Sequence, residues 1–131
     1  MEKLIQYRTN ASLYDGAFDS VSGWSAAGMG YVIVSENGKL IVIDGGFGDD
    51  AENLLDILRR NSPDAVPEVD LWIITHPHVD HYGALREVSA NEKLRDRVKV
   101  KRYFTGFLLN FSAREDRRRC LRHPATILMR S

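Results

Sequence analysis

Apolar residues in this chain come in short runs whose period changes from one run to the next. Residues 4–7 alternate apolar and polar, which predicts an edge strand, and the polar, glycine-containing stretch 8–23 predicts a loop. In GYVIVSENGKLIVIDGG, two β-branched runs, residues 31–34 and 40–43, flank Asn37-Gly38. That dipeptide suits a type I′ turn, where both central residues take φ > 0, so the segment predicts a hairpin. The second run is apolar throughout, as in a strand covered on both faces, and it stops at Asp44-Gly45-Gly46.

The period then becomes helical. Leu54, Leu55 and Leu58 share one face, Asp49 or Asp50 can cap, and Arg59, Arg60 and Asn61 close the last turn, which predicts a helix over 51–61. SPDAVPE is a proline-containing connection, and VDLWIIT predicts a second buried strand. HYGALREVSAN predicts a helix with Leu85 and Val88 inward, and VKVKRYF predicts a half-exposed strand with Val98, Val100 and Arg102 on one face. The order is hairpin, helix, strand, helix, strand, without internal repeat or low-complexity segment.

Composition narrows the class. A length of 131 residues predicts one domain, and 44% hydrophobic with 27% charged residues is ordinary for a soluble globular chain. No run reaches the roughly 18 apolar residues of a membrane span, and the N-terminal MEKLIQYRTN does not read as a secretory signal. Cys120, the single cysteine, excludes an intramolecular disulfide framework and suits a reducing, cytoplasmic compartment.

The zero net charge is unevenly spread. Residues 113–131 hold Arg114, Arg117, Arg118, Arg119, Arg122 and Arg130 against Glu115 and Asp116, so this tail is +4 and residues 1–112 are −4. We therefore divide the chain into a body, 1–112, and an arginine-rich C-terminal tail, 113–131. The tail leaves two expectations open: a non-native end on a truncated chain, or a solvated arginine-rich helix. A nucleic-acid-binding arm is the weaker third.

Chemistry concentrates in THPHVDHYG, residues 75–83, which holds three of the four histidines. In an extended loop residues two apart point the same way, so His76 and His78 can present two imidazoles to one ion, and Asp80 and His81 follow at a helix start. Zinc takes imidazole nitrogen and carboxylate oxygen at about 2.0–2.2 Å. A rigid strand ending at Thr75 would hold such a loop in place.

His76-Pro77-His78-Val79-Asp80-His81, followed by Tyr82-Gly83, resembles the signature of the metallo-β-lactamase superfamily of metal-dependent hydrolases. The hairpin ending in Asp44-Gly45-Gly46, the helix and the strand into the motif resemble the N-terminal half of that family's αββα sandwich, over residues 28–104. The resemblance implies an α+β fold: half a sandwich, a mixed sheet covered by helices and completed by dimerisation. It also implies His76 and His78 at one metal, Asp80 and His81 at a second, Asp80 orienting the attacking water, and Asp44 lying near the site. Asp44 as a plain turn or capping aspartate is an equal alternative. The cofactor implied is one or two Zn2+ ions, with Fe or Mn as alternatives. The reaction that the resemblance implies is hydrolysis by metal-bound hydroxide of a small-molecule or ester-type substrate whose identity the sequence leaves open.

The family pattern continues with a third histidine, a bridging aspartate and a final histidine. After His81 this chain has only His123, in the tail and beside Pro124, and no strand-like segment delivers it; Asp96 and Asp116 read as solvated charges. Two expectations follow: a truncated hydrolase, or a catalytically inactive fold remnant that self-associates as a homodimer across the sheet face left open. Gly45-Gly46-Phe47-Gly48 is a poor phosphate cradle, because Asp49 and Asp50 would repel an anion. Trp24, Trp72, Tyr31 and Phe104 read as core or half-buried aromatics.

Overall fold

The computed structural model describes residues 2–7, 9, 18–19, 24–25 and 28–107. The 113–131 tail, with Cys120 and His123, lies outside them. The elements are β1 (Lys3–Gln6), β2 (Phe18–Asp19), β3 (Trp24–Ser25), β4 (Gly30–Val34), β5 (Leu40–Asp44), a 3-10 turn (Gly48–Asp50), α1 (Ala51–Arg60), β6 (Glu68–Ile74), α2 (Val79–Ala90), α3 (Glu92–Arg95), β7 (Lys99–Val100) and β8 (Tyr103–Thr105). No helix among the described residues is long and apolar enough to cross a membrane.

A six-stranded mixed sheet runs β1-β4-β5-β6-β7, with β8 also paired to β6. The β1/β4 and β4/β5 pairs are antiparallel; β5/β6, β6/β7 and β6/β8 are parallel. This α+β arrangement, one sheet with helices on it, agrees with a partial αββα sandwich. β1 is the expected edge strand, while the stretch expected as loop, 8–23, holds β2, which pairs antiparallel with β3 just beyond it.

The core lies between the sheet and α1 and α2. Ala51, Leu54, Leu55 and Leu58 repeat at helical spacing, so α1 buries one continuous stripe. It meets Val32, Val42, Val69 and Trp72, all fully buried on the helix side of the sheet. Alternation along β6 breaks because Leu40 pairs with Val69 and Ile41 with Leu71, which leaves Asp70 as an extra, bulged residue. The bulge turns both Val69 and Trp72 toward the helices.

Three details differ from the sequence reading. The β4–β5 turn is not type I′: Gly38 has φ +76° but Asn37 does not take positive φ. The Ser35 N–H donates to the Lys39 carbonyl and the Gly38 N–H to the Ser35 carbonyl, the pattern of a three-residue loop with glycine at its left-handed position. The final strand is broken at Lys101 and Arg102, whose side chains are exposed and lie beside Asp70, so Arg102 does not share the inward face. Phe104 is 54% exposed rather than in the core.

Candidate metal centre

The strand ends deliver the site. Asp44, the last residue of β5, sits at φ +59°, a left-handed conformation that aspartate tolerates better than most residues. Its carbonyl accepts from the Trp72 indole N–H at 2.7 Å, and its fully buried side chain turns toward the end of β6. There Oδ1 accepts from the Thr75 N–H (2.8 Å), and Oδ2 accepts from the Thr75 hydroxyl (2.7 Å) and stands 3.1 Å from His81 Nδ1. Asp44 is therefore no helix cap. It ties the end of β5 to the start of the histidine loop and to His81.

That contact fixes the His81 tautomer. A carboxylate only accepts, so Nδ1 carries a proton, and in the neutral ring Nε2 then keeps its lone pair. His81 Nε2 lies 3.5 Å from Asp80 Oδ2. Two acceptors facing each other at this range call for a cation or proton between them. With the ring protonated this is an ion pair; with the ring neutral, Nε2 and the carboxylate are two donors that one ion could share. On the other side of His81, the His76 and His81 ring centroids are 5.2 Å apart, and those of His76 and His78 are 4.2 Å apart, edge to face.

All four residues singled out by the motif thus meet at one loop mouth, as two neighbouring pairs, His76 with His78 and Asp80 with His81. Among the described residues no three His, Cys, Asp or Glu side chains are grouped so as to hold a metal ion. The donor chemistry fits a metal; the count is short of the three protein ligands a catalytic zinc uses.

α2 is pressed onto the β5–α1 connection. A Cβ on Gly83 would lie 2.7 Å from the Gly48 nitrogen and from Cα and C of Phe47. The Ala84 N–H donates to the Gly46 carbonyl, and the Met29 N–H to the Asp80 carbonyl. The turn itself is braced by the buried Asp50 carboxylate, which accepts from the Phe47 N–H at 2.9 Å. Tyr7, also buried, donates its hydroxyl to the Gly45 carbonyl at 3.0 Å. Burial, with the Asp50 and Asp44 carboxylates nearby, pushes the Tyr7 pKa up, so the phenol stays a protonated donor.

Sequence reasoning named the strand ending at Thr75 as a support of this site but missed Tyr7 and the side-chain contacts of Trp72 and Thr75. The signal available was weak: a threonine between the strand and the first histidine, and a tryptophan mid-strand. The family model for the metallo-beta-lactamase superfamily matches residues 27–108, more than half of the chain, and the matched span contains Asp44, His76, His78, Asp80 and His81 but not Tyr7. No curated protein matches the chain.

Proposed function

From the premise that the chain belongs to the metallo-beta-lactamase superfamily, whose members are metal-dependent hydrolases, we propose that it is a hydrolase in which His76, His78, Asp80 and His81 form part of a metal-binding centre. The observation that carries this reading is the fixed His81 ring, with Nδ1 committed to Asp44 and Nε2 facing the Asp80 carboxylate at 3.5 Å. Zn2+ suits three imidazoles and a carboxylate best, with Fe or Mn as alternatives.

A metal bound there would make water a nucleophile near neutral pH and would polarise a carbonyl or phosphoryl oxygen. The chain's own groups do the rest. Asp44 keeps a proton on His81 Nδ1, Asp80 would accept a hydrogen bond from the attacking water and orient it, and the strand end at Thr75 holds the loop. We place this activity in the cytoplasm, which the single cysteine favours.

Elemental analysis of the chain purified without chelator tests the reading. We expect roughly one equivalent of zinc, falling below about 0.1 equivalent when His76 and His81 are both replaced by alanine. Hydrolysis of an activated ester and of an activated phosphodiester then separates substrate classes. Wild-type protein with less than about 0.1 equivalent of any transition metal after incubation with zinc would overturn the proposal.

A second reading, a non-catalytic chain that pairs with another copy of itself, is favoured by the sheet face away from the helices. The strand registers place Leu4, Ile33, Ile41 and Leu71 in one row across the sheet and Tyr31, Ile43, Ile73 and Phe104 in the next. These side chains are half-buried or exposed and none is charged, so under a twofold axis the face is complementary to itself. Light scattering is expected to give twice the chain mass at tens of micromolar; a monomer there rules this reading out.

A further inference from the structure

We propose that Tyr7 is a positioning residue for the metal loop, through a hydroxyl that locks the Asp44-Gly45-Gly46 turn and, through Asp44, the ring of His81. The proposal rests on the metal-dependent reading above, and deepens it by adding a residue from the first strand.

Three observations carry it. First, Tyr7 follows β1 directly and stands opposite Gly30, its N–H donating to the Gly30 carbonyl. The ring lies in the space that glycine leaves: a Cβ on Gly30 would come 2.2 Å from Tyr7 Cζ and 2.3 Å from its hydroxyl oxygen. An aromatic ring laid over a cross-strand glycine is a recognised way to pin register, and here only glycine admits it. Second, Gly30 pairs with Asp44 in the β4/β5 register, so the ring crosses β4 to reach the end of β5. Its hydroxyl meets the Gly45 carbonyl at 3.0 Å, directly after the residue with φ +59°. Third, the same turn is held from the other side by the Trp72 indole on the Asp44 carbonyl and by the Met29 carbonyl on the Gly45 N–H. Tyr7 is the member of this set that reaches the turn from outside the hairpin and β6.

The consequence is directional. A left-handed aspartate stores strain that its surroundings must hold. With the hydroxyl gone, the Gly45 carbonyl loses its donor, the turn relaxes, and the Asp44 carboxylate drifts from His81 Nδ1. The His81 proton then divides between the two ring nitrogens. Nothing in this chain requires Tyr7 to touch metal or substrate.

Tyr7→Phe keeps the ring over Gly30 and removes only the hydroxyl. The experiment records the imidazole 15N resonances of His81 in the metal-free chain, and zinc affinity by competition with a chromophoric chelator. Ile5→Val, on the same face of β1 and without a polar contact, serves as the control. In Tyr7→Phe we expect a shift of His81 from the Nδ1-protonated form toward a mixture, and zinc affinity about threefold to tenfold weaker, below the 10–100-fold typical of a group that touches the ligand itself. Ile5→Val leaves both unchanged. An unaltered His81 spectrum in a folded Tyr7→Phe chain overturns the proposal, as does an equal change in Ile5→Val. If wild-type protein binds no zinc while Tyr7→Phe still shifts His81, the positioning stands and the metal-dependent reading falls.

Discussion

Gly83→Ala is expected to destabilise the chain by about 2–3 kcal/mol, although helix propensity alone argues for a gain of roughly 1 kcal/mol. The two effects have opposite signs, which makes the substitution decisive. Gly83 lies in the second turn of α2, and its missing Cβ is where Phe47 Cα and C and the Gly48 nitrogen come to 2.7 Å. These are backbone atoms in a connection already fixed by the Asp50 carboxylate, so they cannot swing aside as the tip of a side chain can. The helix has to lift instead. It carries Asp80 and His81 in its first turns, so the lift also separates Nε2 from its carboxylate neighbour and Nδ1 from Asp44. For a chain of this size the melting temperature should fall by about 10 °C, and zinc affinity should fall with it. Gly106→Ala, where an added Cβ meets nothing within 4 Å, is the control and should stay within about 0.5 kcal/mol of wild type. A raised melting temperature for Gly83→Ala would mean that α2 does not sit on the 47–48 backbone.

How much of this was legible beforehand depends on the range of the interaction. The β4–β5 hairpin, α1 and the strand into the histidine loop follow from local period, and each forms within two residues of the expected bounds. The turn type did not follow. Asn37-Gly38 permits φ > 0 at both positions, but the loop places only the glycine there, and Ser35 bonded to Lys39 sets the length. β6 hides its alternation behind the Asp70 bulge, which no periodic reading detects. Phe104 reads as a core or half-buried aromatic, yet its strand position turns it to the open face, where it is exposed.

At the site, the nearness of His76, His78, Asp80 and His81 was legible because they lie within six positions and need only a loop and a helix start to converge. Asp44 was legible as a residue but not as a role, since turn capping and ligand support share the same sequence signature. The contacts that decide between them span 28 positions to Trp72, 31 to Thr75 and 37 to His81. Tyr7 to Gly45 spans 38. Such pairings are properties of the assembled sheet, in which β1 reaches the β5 end only through β4.

Replacing Asp44 by asparagine and by alanine should separate metal binding from stability. Asparagine tolerates the left-handed φ, and its amide oxygen can still accept from the Thr75 N–H. Its NH2 group, however, falls where Oδ2 accepts from the Thr75 hydroxyl and faces His81 Nδ1. The hydroxyl can rotate and become an acceptor. The imidazole can relieve the clash of donors only by moving its proton to Nε2, and that removes the lone pair a metal would use. Asp44→Asn should therefore melt within a few degrees of wild type, with zinc bound about 10–100-fold more weakly. Alanine removes the acceptor altogether. It forfeits the tolerance of positive φ that aspartate and asparagine have over alanine, and it strands the Thr75 donors at a cost of about 1–3 kcal/mol, so Asp44→Ala should lose about 2–3 kcal/mol in chemical denaturation. The split between the two variants carries the information. A purely structural Asp44 would give stability losses in both with affinity unchanged in the folded fraction, and a zinc affinity for Asp44→Asn equal to wild type would sink the assignment of the His81 tautomer to Asp44.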